Sequence, residues 1–441
     1  MRMLLRYPAI ALFIILTLQC TKEDTSPADK INSPSGSFLD ALISNGVDVD
    51  GDSIISNEEA LSVKYLDLTN LDISNLLGIE MFGNLEELNC SSNQLHSLDV
   101  SKNKALKYLY CSGNQISILM LPGNHYLEYI DCSDNLLTRI DVSGLSGLQH
   151  LLCSYNNLTS VNISGNSDLR YFYCDNNLIK TLDISKNNKL YYLSCHNNNL
   201  KVLDVSGNTE LRGLACLRNQ LTSIDVSANI YLIYLNTGYN VDMTSLDISN
   251  NPDLQDLSCN DCRLSDLDVS SNTKLKYLNC GDNTLVGRNE IAYLDVSNNP
   301  ELEKLICERN LLTALDVSNN HLLKELDCSL NQLKDLNVGN ANALQVLFCE
   351  DNMLTNLDLS SLENLRLLWC PGNQLTILDI SANYSLEEGK DWASCFVDIS
   401  NMPTLQKVCV WTLPFPPQGL KLRTDGSPDV YFTTDCSKGP L

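Results

Sequence analysis

The chain has 441 residues, of which 44% are hydrophobic and 19% are charged, and its formal net charge at pH 7 is −24. Nucleic acid binding needs Lys and Arg to displace the counterions of phosphates, so this charge argues against a nucleic acid partner and favours cationic ones. The length exceeds the size at which one globular core stops growing, which favours an architecture that extends its core along one direction.

The N-terminal segment has the pattern of an export signal. Arg2 and Arg6 precede an apolar run over residues 9–18 that is too short for a stable membrane span, and Cys20 follows. We therefore interpret residues 1–19 as a signal peptide. Residues 20–37 are predicted to form a flexible linker, because Pro and Ser are frequent between positions 26 and 37.

The segment around Cys20 resembles a bacterial lipoprotein signal. This resemblance implies that Cys20 is lipidated and becomes the mature N-terminus, which would attach the chain to a membrane. The residues Thr21-Lys22-Glu23-Asp24 resemble the export tag of surface lipoproteins in the Bacteroidetes. Together they imply an outer membrane lipoprotein that faces the cell exterior, whereas an ordinary charged linker is the alternative.

Residues 38–62 carry the pattern of a calcium-binding loop flanked by two short helices, as in a small EF-hand. Ser53 stands where this pattern normally has Gly. The alternative is a polar cap helix whose acidic residues lie at its N-terminus. In both interpretations the segment covers the apolar end of the repeats that follow, and residues 63–84 form a transitional repeat. The predicted calcium ligands are Asp48, Asp50, Asp52, the Ile54 carbonyl, Ser56 and a bidentate Glu59.

Residues 85–385 consist of fourteen copies of the pattern LxxLxCxxNxLxxLDVSxNxx. Most copies are 21 residues long, and this period with its Leu and Asn spacing predicts a leucine-rich repeat solenoid. We expect a curved molecule with a parallel β-sheet on the concave face, extended and turn segments on the convex side, and little helix. The copies begin at Leu85, Leu106, Leu127, Leu148, Leu169, Leu190, Leu211, Leu232, Leu254, Leu275, Leu302, Leu323, Leu344 and Leu365.

Each repeat combines one short strand with two polar positions. Leu and Cys alternate with outward residues in the strand, so stacked copies share one apolar interior. The Asn that follows in nearly every copy, for example Asn198, is expected to satisfy backbone groups where the chain bends. The Asp-Val-Ser portion favours Asx and Ser turns on the opposite side.

Thirteen of the eighteen cysteines occupy the same inward position of the repeat. Because Cys is a small, readily buried residue, we interpret this column as reduced thiols that pack in the core, and not as disulfides. Cys259 and Cys262 form a lone CxxC without a second pair, so no zinc site is expected there.

Residues 386–441 depart from the repeat pattern. Their aromatic residues, their Pro-rich turn and a β-prone run over residues 430–433 predict a C-terminal cap that adds one or two irregular strands to the last repeat. The cap also offers a disulfide between two of Cys395, Cys409 and Cys436.

The repeats with Cys in the third apolar position and Leu-Asp-Val-Ser downstream resemble the cysteine-ladder repeats of internalins, a class of bacterial surface leucine-rich repeat proteins, over about residues 85–385. This resemblance implies a small helical cap related to an EF-hand, which fits residues 38–62. It also implies adhesion or receptor binding through the concave face.

The outward strand positions contain a discontinuous stripe of tyrosines, which suit protein or glycan recognition because they offer large contact areas and a polar tip. Strand propensity alone would also favour Tyr here. The predicted function is therefore a surface binding or adhesion protein, and an envelope-assembly scaffold without a dedicated ligand is the alternative. The predicted ligand-binding residues are Tyr108, Tyr110, Tyr129, Tyr171, Tyr173, Tyr192, Tyr234 and Tyr277.

An enzyme is not expected. The five His are scattered over different repeat positions, and no phosphate loop or HExxH motif is present in the sequence. His150, Asp175 and His196 could meet on the concave side, but polar residues on a solenoid face are more often simply solvated. Apart from possible calcium, no cofactor is expected.

Overall fold

The computed structural model describes most of the chain, and Cys20, Cys395 and the predicted signal peptide lie outside the described residues. Within them, the chain winds as a parallel β-solenoid with little helix, which confirms the predicted fold class. The described ranges are residues 30–31, 36–282, 289–388, 397–418, 420–427 and 430–437.

The main sheet has seventeen parallel strands in chain order and extends beyond the fourteen repeats at both ends. Each residue pairs with its equivalent one repeat away, as Tyr171 does with His150 and Tyr192. The side chains of one repeat position therefore form a continuous column. The strands are Tyr65–Asp67, Glu87–Asn89, Tyr108–Tyr110, Tyr129–Asp131, His150–Leu152, Tyr171–Tyr173, Tyr192–Ser194, Gly213–Ala215, Tyr234–Asn236, Asp256–Ser258, Tyr277–Asn279, Lys304–Ile306, Glu325–Asp327, Val346–Phe348, Leu367–Trp369, Val397–Asp398 and Leu422–Arg423.

The opposite side of each turn is built from Asx turns and a few short strands. In a typical repeat, Asp204 Oδ1 accepts hydrogen bonds from Ser206 N at 2.9 Å and Ser206 Oγ at 2.6 Å. These bonds lower the pKa of Asp204, and they account for the recurrent Asp-x-Ser of the repeat. The strands on this side are Ser97–Asp99, Ile118–Met120, Ala314–Asp316, Asp335–Asn337, Ile377–Asp379, Lys407–Cys409 and Tyr431–Thr433.

The inward Leu, Val and Cys side chains form one core that runs the length of the solenoid. All thirteen cysteines of the column are free and buried, as is Cys262. Burial raises the pKa of these thiols, for example to about 12 for Cys90. Cys409 and Cys436 form a disulfide with a Cα–Cα distance of 5.7 Å, which joins the strand Lys407–Cys409 to the segment after the last strand, within the C-terminal cap.

The Asn after the strand forms the ladder that the sequence predicts. Asn198 Nδ2 donates to the carbonyl oxygens of Cys174, Cys195 and His196 at 3.0 to 3.2 Å, and its Oδ1 accepts from Ile179 N at 2.9 Å. Each such Asn therefore joins two successive repeats through buried backbone groups.

Two repeats fill this position differently. In the 27-residue repeat the role is taken by Asn289, whose Nδ2 donates to the carbonyls of Cys259 and Cys280 at 3.0 Å. In the repeat that has Cys262 instead of Asn, the thiol lies 3.5 Å from the Thr237 carbonyl. The ladder thus continues through both irregular repeats.

A second Asn column, at the end of the Asp-Val-Ser-x-Asn half, supports the other side of the turn. Asn208 is fully buried, and its Nδ2 donates to the carbonyls of Ile184 at 3.1 Å and Asn187 at 2.8 Å. Its Oδ1 has no hydrogen-bond partner among the described residues, and the same holds for ten equivalent Asn side chains. The sequence predicts turns here, but not a second buried amide column.

The N-terminal cap contains both α-helices of the described chain, α1 (Gly36–Ser44) and α2 (Asn57–Ser62). Phe38 and Leu42 of α1 are fully buried in the common core, so the cap closes the apolar end of the solenoid. Ahead of α2, strand Ile55–Ser56 pairs antiparallel with Lys30–Ile31, which lies within the predicted linker.

A 3-10 helix at Ile79–Met81 follows the first strand of the main sheet, and another at Tyr384–Glu388 spans the start of the C-terminal cap. In that cap, Val397–Asp398 and Leu422–Arg423 continue the main sheet in parallel. No helix within the described ranges is long and apolar enough to cross a bilayer.

Candidate ligand-binding face and calcium loop

The eight predicted tyrosines all lie on the exposed face of the main sheet. Six of them are the first residue of a strand, and Tyr110 and Tyr173 are the third, so all eight point away from the buried apolar residue in the middle of each strand. They are half-buried, because neighbouring repeats cover part of each ring. The structure therefore collects these residues on one surface.

Three ring contacts join the N-terminal part of this surface. The ring centroids of Tyr110 and Tyr129 are 4.9 Å apart, those of Tyr129 and His150 are 5.4 Å apart, and those of His150 and Tyr171 are 4.6 Å apart and almost parallel. Burial, and then the charge of Arg170, lower the pKa of His150. The sequence places His150 in the tyrosine column, but we did not predict it as a ligand-binding residue.

A second group of rings depends on a glycine. Tyr173 stacks on Tyr192 at 5.2 Å, and Tyr192 stacks on Tyr234, two repeats away, at 6.3 Å. Gly213 lies between them, and a Cβ at this position would be only 2.3 Å from the Tyr192 ring. The missing side chain therefore lets Tyr192 lie across the glycine. We call Tyr110, Tyr129, His150, Tyr171, Tyr173, Tyr192 and Tyr234 together the aromatic stripe.

The other two predicted tyrosines lie outside these ring contacts. Tyr108 pairs with Glu87 and Tyr129 in the sheet, and Tyr277 lies under Lys304, whose Nζ is 6.0 Å from the ring centroid. Beside the stripe, Tyr191 contacts Tyr171 at 5.7 Å and is covered by the Arg212 guanidinium at 5.5 Å. Tyr191 precedes its strand, which is why the alternation pattern did not identify it.

Asp175 and His196 meet on the concave side, as the sequence allows, but His150 is part of the aromatic stripe instead. Ser154 Oγ and Ser194 Oγ both donate to Asp175 Oδ1, at 2.7 and 3.0 Å, and His196 Nδ1 lies 3.0 Å from Ser194 Oγ. His196 Nε2 lies 3.5 Å from Asp175 Oδ2, so the imidazole contacts both Ser194 and Asp175, while the Ser194 hydroxyl also donates directly to the carboxylate. The three side chains thus form a closed polar network.

Carboxylates and apolar side chains occupy the C-terminal half of the face. Burial raises the pKa of Asp256 to about 6, and burial together with the charge of Asp327 raises the pKa of Glu308 and Glu350 to about 7. In the apolar patch beyond them, Phe348 and Trp369 remain half-buried with their rings edge to face at 5.1 Å, while Leu367 is buried.

The predicted calcium loop is folded with its acidic side chains converging. Oxygen atoms of Asp48, Asp50 and Asp52 lie within 4.8 Å of one another. Asp48 accepts hydrogen bonds from Gly51 N at 2.8 Å and Ser53 N at 2.9 Å. Ser53 has φ +62°, so it adopts the left-handed conformation that usually favours Gly at this position.

Glu59 and Ser56 connect this loop to helix α2. Glu59 Oε1 accepts from Val49 N at 2.8 Å, and Glu59 Oε2 accepts from Ser56 N at 2.8 Å. Ser56 caps the helix by accepting from Glu59 N at 3.2 Å. These residues therefore form a capping box as well as a hard-oxygen donor set of the kind that calcium prefers.

Comparisons with known proteins identify the repeats. A family model described as leucine-rich repeats (2 copies) matches residues 83–123. Among solved structures, the functional domain of InlJ from Listeria monocytogenes, which includes a cysteine ladder, is 29% identical with a TM-score of 0.64, and the match covers 78% of this chain and 82% of that one. No curated protein sequence matches the chain.

Two further structures share the fold. A leucine-rich repeat protein of Leptospira interrogans is 23% identical with a TM-score of 0.62, and the match covers 72% of this chain and 92% of that one. The plant peptide hormone receptor RGFR1, solved in complex with RGF2, is 21% identical with a TM-score of 0.61, and the match covers 80% of this chain and 64% of the receptor chain. The predicted similarity to the cysteine-ladder internalin is thus confirmed at the level of structure.

Proposed function

We propose that this leucine-rich repeat solenoid is a binding or adhesion protein whose concave face engages a protein or glycan through the aromatic stripe. The observation that carries this proposal is the two sets of ring contacts, one from Tyr110 to Tyr171 and one from Tyr173 to Tyr234, which together present seven aromatic side chains on one surface. Stacked rings lose little side-chain entropy when a ligand binds, and their exposed edges and hydroxyls remain available.

We further propose that the chain is displayed on the outer face of an outer membrane by a lipid on Cys20. The support for this proposal is the sequence alone, namely the short apolar run before Cys20 and the acidic segment after it. Surface display would place the concave face in contact with external proteins and glycans.

The aromatic stripe can be tested with one pair of variants. The purified chain without its signal peptide is screened on glycan and protein arrays, and the best ligand is then titrated against a Tyr171→Ser/Tyr192→Ser variant. We expect its affinity to fall by about a hundredfold or more, because buried tyrosines at an interface commonly contribute 2 kcal/mol or more each.

The matched control is Tyr126→Ser/Tyr293→Ser, which removes two tyrosines that are 68% and 73% exposed and lie outside the strands of the main sheet. The control should bind like the parent chain, and both variants should keep the circular dichroism spectrum of the parent. Equal binding by all three chains would contradict the proposal and favour a scaffold role in the envelope.

We also propose that the loop of Asp48, Asp50 and Asp52 binds one calcium ion, with Ile54, Ser56 and Glu59 as further ligands. Titration calorimetry on the chain should give one site, and Asp48→Ala should abolish it, because this carboxylate both faces the ion and holds the loop. Asp40→Ala removes an exposed carboxylate from neighbouring α1 and should leave calcium binding unchanged. If the parent chain gives no heat of calcium binding, the calcium proposal is wrong, and the role of this segment is to cap helix α2.

A further inference from the structure

The residue just before each strand of the main sheet belongs to a column that is rich in charged side chains. Elsewhere in this column a Lys is paired with a Glu, as Lys324 Nζ is with Glu303 at 2.7 Å. Arg170 and Arg212 occupy the same column beside the aromatic stripe. Among the residues that the structure describes, no acidic side chain forms an ion pair with either of them. We call Arg170 and Arg212 the arginine pair.

Tyr191 lies directly between the two members of the arginine pair. Its N–H donates to the Arg170 carbonyl at 2.8 Å, and its own carbonyl accepts from Arg212 N at 2.9 Å. Because neighbouring strands are about 4.8 Å apart, the backbones of the two arginines are roughly 10 Å apart. The Tyr191 ring is 39% exposed and contacts Tyr171 at 5.7 Å. The arginine pair therefore adjoins the aromatic stripe along its edge.

Two rings hold the Arg212 side chain in place. The Cζ atom of Arg212 lies 5.5 Å from the ring centroid of Tyr191 and 5.5 Å from that of Tyr231. Contacts with the faces of these rings leave the N–H donors in the guanidinium plane available to an acceptor. Since the side chain is half-buried, it loses little conformational freedom when a ligand binds. A carboxylate is the group whose two oxygens fit such a planar donor set.

The acidic groups near the arginine pair have other partners. Asp168, two residues before Arg170, forms an ion pair with Lys189. Asp175 is buried, and its Oδ1 accepts from two Ser hydroxyls. The net charge of −24 disfavours anions at long range, but at physiological ionic strength exposed charges more than about 8 Å apart are largely screened. The arginine pair therefore forms a local site for anionic groups.

We propose that the arginine pair binds the carboxylates of an acidic polysaccharide whose sugar rings lie along the aromatic stripe. This inference rests on the proposed function and specifies the glycan as one that contains uronic acids. When uronate and neutral sugars alternate, every second ring carries a carboxylate. A sugar ring in an extended chain spans about one strand spacing, so successive carboxylates would meet Arg170 and Arg212. The neutral sugar between them would pack on Tyr191, which offers an apolar ring and a polar tip.

The spacing of the arginine pair fits such a polysaccharide better than an acidic peptide. In an extended peptide, side chains on the same side recur about every 7 Å, which is shorter than the roughly 10 Å between the two arginine backbones. The contact of Tyr191 with Tyr171 also continues the aromatic surface from the stripe to the arginine pair. One extended glycan could therefore contact both.

The test uses a hyaluronan octasaccharide, in which glucuronate alternates with a neutral sugar, labelled with fluorescein at its reducing end. Fluorescence anisotropy at physiological ionic strength measures its binding to the purified chain without its signal peptide. The same octasaccharide with its carboxylates reduced to alcohols is the neutral control, and it should bind about tenfold or more weakly. The variant Arg170→Gln/Arg212→Gln should weaken binding of the acidic octasaccharide by about tenfold or more, because charge-assisted hydrogen bonds are lost.

The matched control variant is Lys180→Gln/Lys201→Gln. It removes the same charge from two exposed residues that lie in neighbouring repeats, outside the strands of the main sheet. This variant should bind the octasaccharide within about twofold of the parent chain. Both double variants should keep the circular dichroism spectrum of the parent.

Several outcomes would overturn the proposal. They are failure of the parent chain to bind the octasaccharide, equal binding of its carboxyl-reduced form, and equal weakening in the two double variants. An octa-glutamate peptide that binds as tightly as the octasaccharide, and no longer binds the arginine variant, would identify an acidic protein segment as the ligand instead. If Tyr171→Ser/Tyr192→Ser abolishes binding of the array ligand while Arg170→Gln/Arg212→Gln leaves octasaccharide binding unchanged, only this inference fails and the proposed function stands.

Discussion

Replacing Asn198 with Ala is expected to lower the free energy of unfolding by about 2 to 4 kcal/mol. The substitution leaves the buried N–H of Ile179 without its acceptor, and the buried carbonyls of Cys174 and Cys195 each lose one of their two amide donors. Each unsatisfied buried backbone group costs roughly 1 to 3 kcal/mol, and the solenoid cannot compensate because only neighbouring repeats are in contact. Guanidinium denaturation followed by circular dichroism measures the change.

Two other Asn residues of the same repeat, Asn199 and Asn208, provide the comparison. Asn208→Ala should cost less than Asn198→Ala, because it removes two donated bonds but also removes an oxygen that has no partner. Asn199 is half-buried, and Asn199→Ala should change the free energy of unfolding by less than about 0.5 kcal/mol. A cost for Asn198→Ala no larger than that for Asn199→Ala would show that the ladder contributes nothing to stability.

The thiols of the Cys column should be almost inert in the folded chain and fully reactive after unfolding. All fourteen free cysteines of the described chain are buried, and burial raises the pKa of Cys90, Cys216 and Cys280 to about 12. The thiolate is the reactive species, so its population at pH 8 falls by roughly three orders of magnitude, and access to reagent is blocked as well.

Ellman's reagent provides the measurement. Without denaturant we expect no reaction from these fourteen thiols on the timescale on which free cysteine reacts completely. In guanidinium, without reductant, the count should be at least fourteen, since Cys409 and Cys436 are joined and two of the eighteen cysteines lie outside the described residues. A count well below fourteen would mean that the column is oxidised, and the interpretation of reduced core thiols would be wrong.

The repeat period determines a large part of the architecture and of the candidate face. A spacing of 21 residues in most repeats, with alternating Leu and Cys, leaves one register for the parallel strands, so the positions of Tyr108, Tyr171 and Tyr192 on the exposed face follow directly. The same logic identifies the buried column of Cys and the ladder of Asn. These features depend on residues that recur at the same position of each repeat.

Contacts that depend on which residue one particular repeat carries are not contained in that period. The stacking of Tyr192 on Tyr234 depends on the absence of a side chain at Gly213, which is a property of a single repeat. Such lateral contacts are determined by side-chain packing and appear only when the turns are stacked.

The position of Asn289 shows where a repeat can be lengthened without loss of the Asn ladder. The 27-residue repeat accommodates its extra residues between Cys280 and this Asn, and the amide still reaches the same two carbonyls as its counterparts do. Added length at this point of a turn therefore leaves the stacking of neighbouring turns intact. This position of the repeat therefore tolerates insertions, so natural variation or protein engineering can add a segment here while the stacked repeats keep their structure.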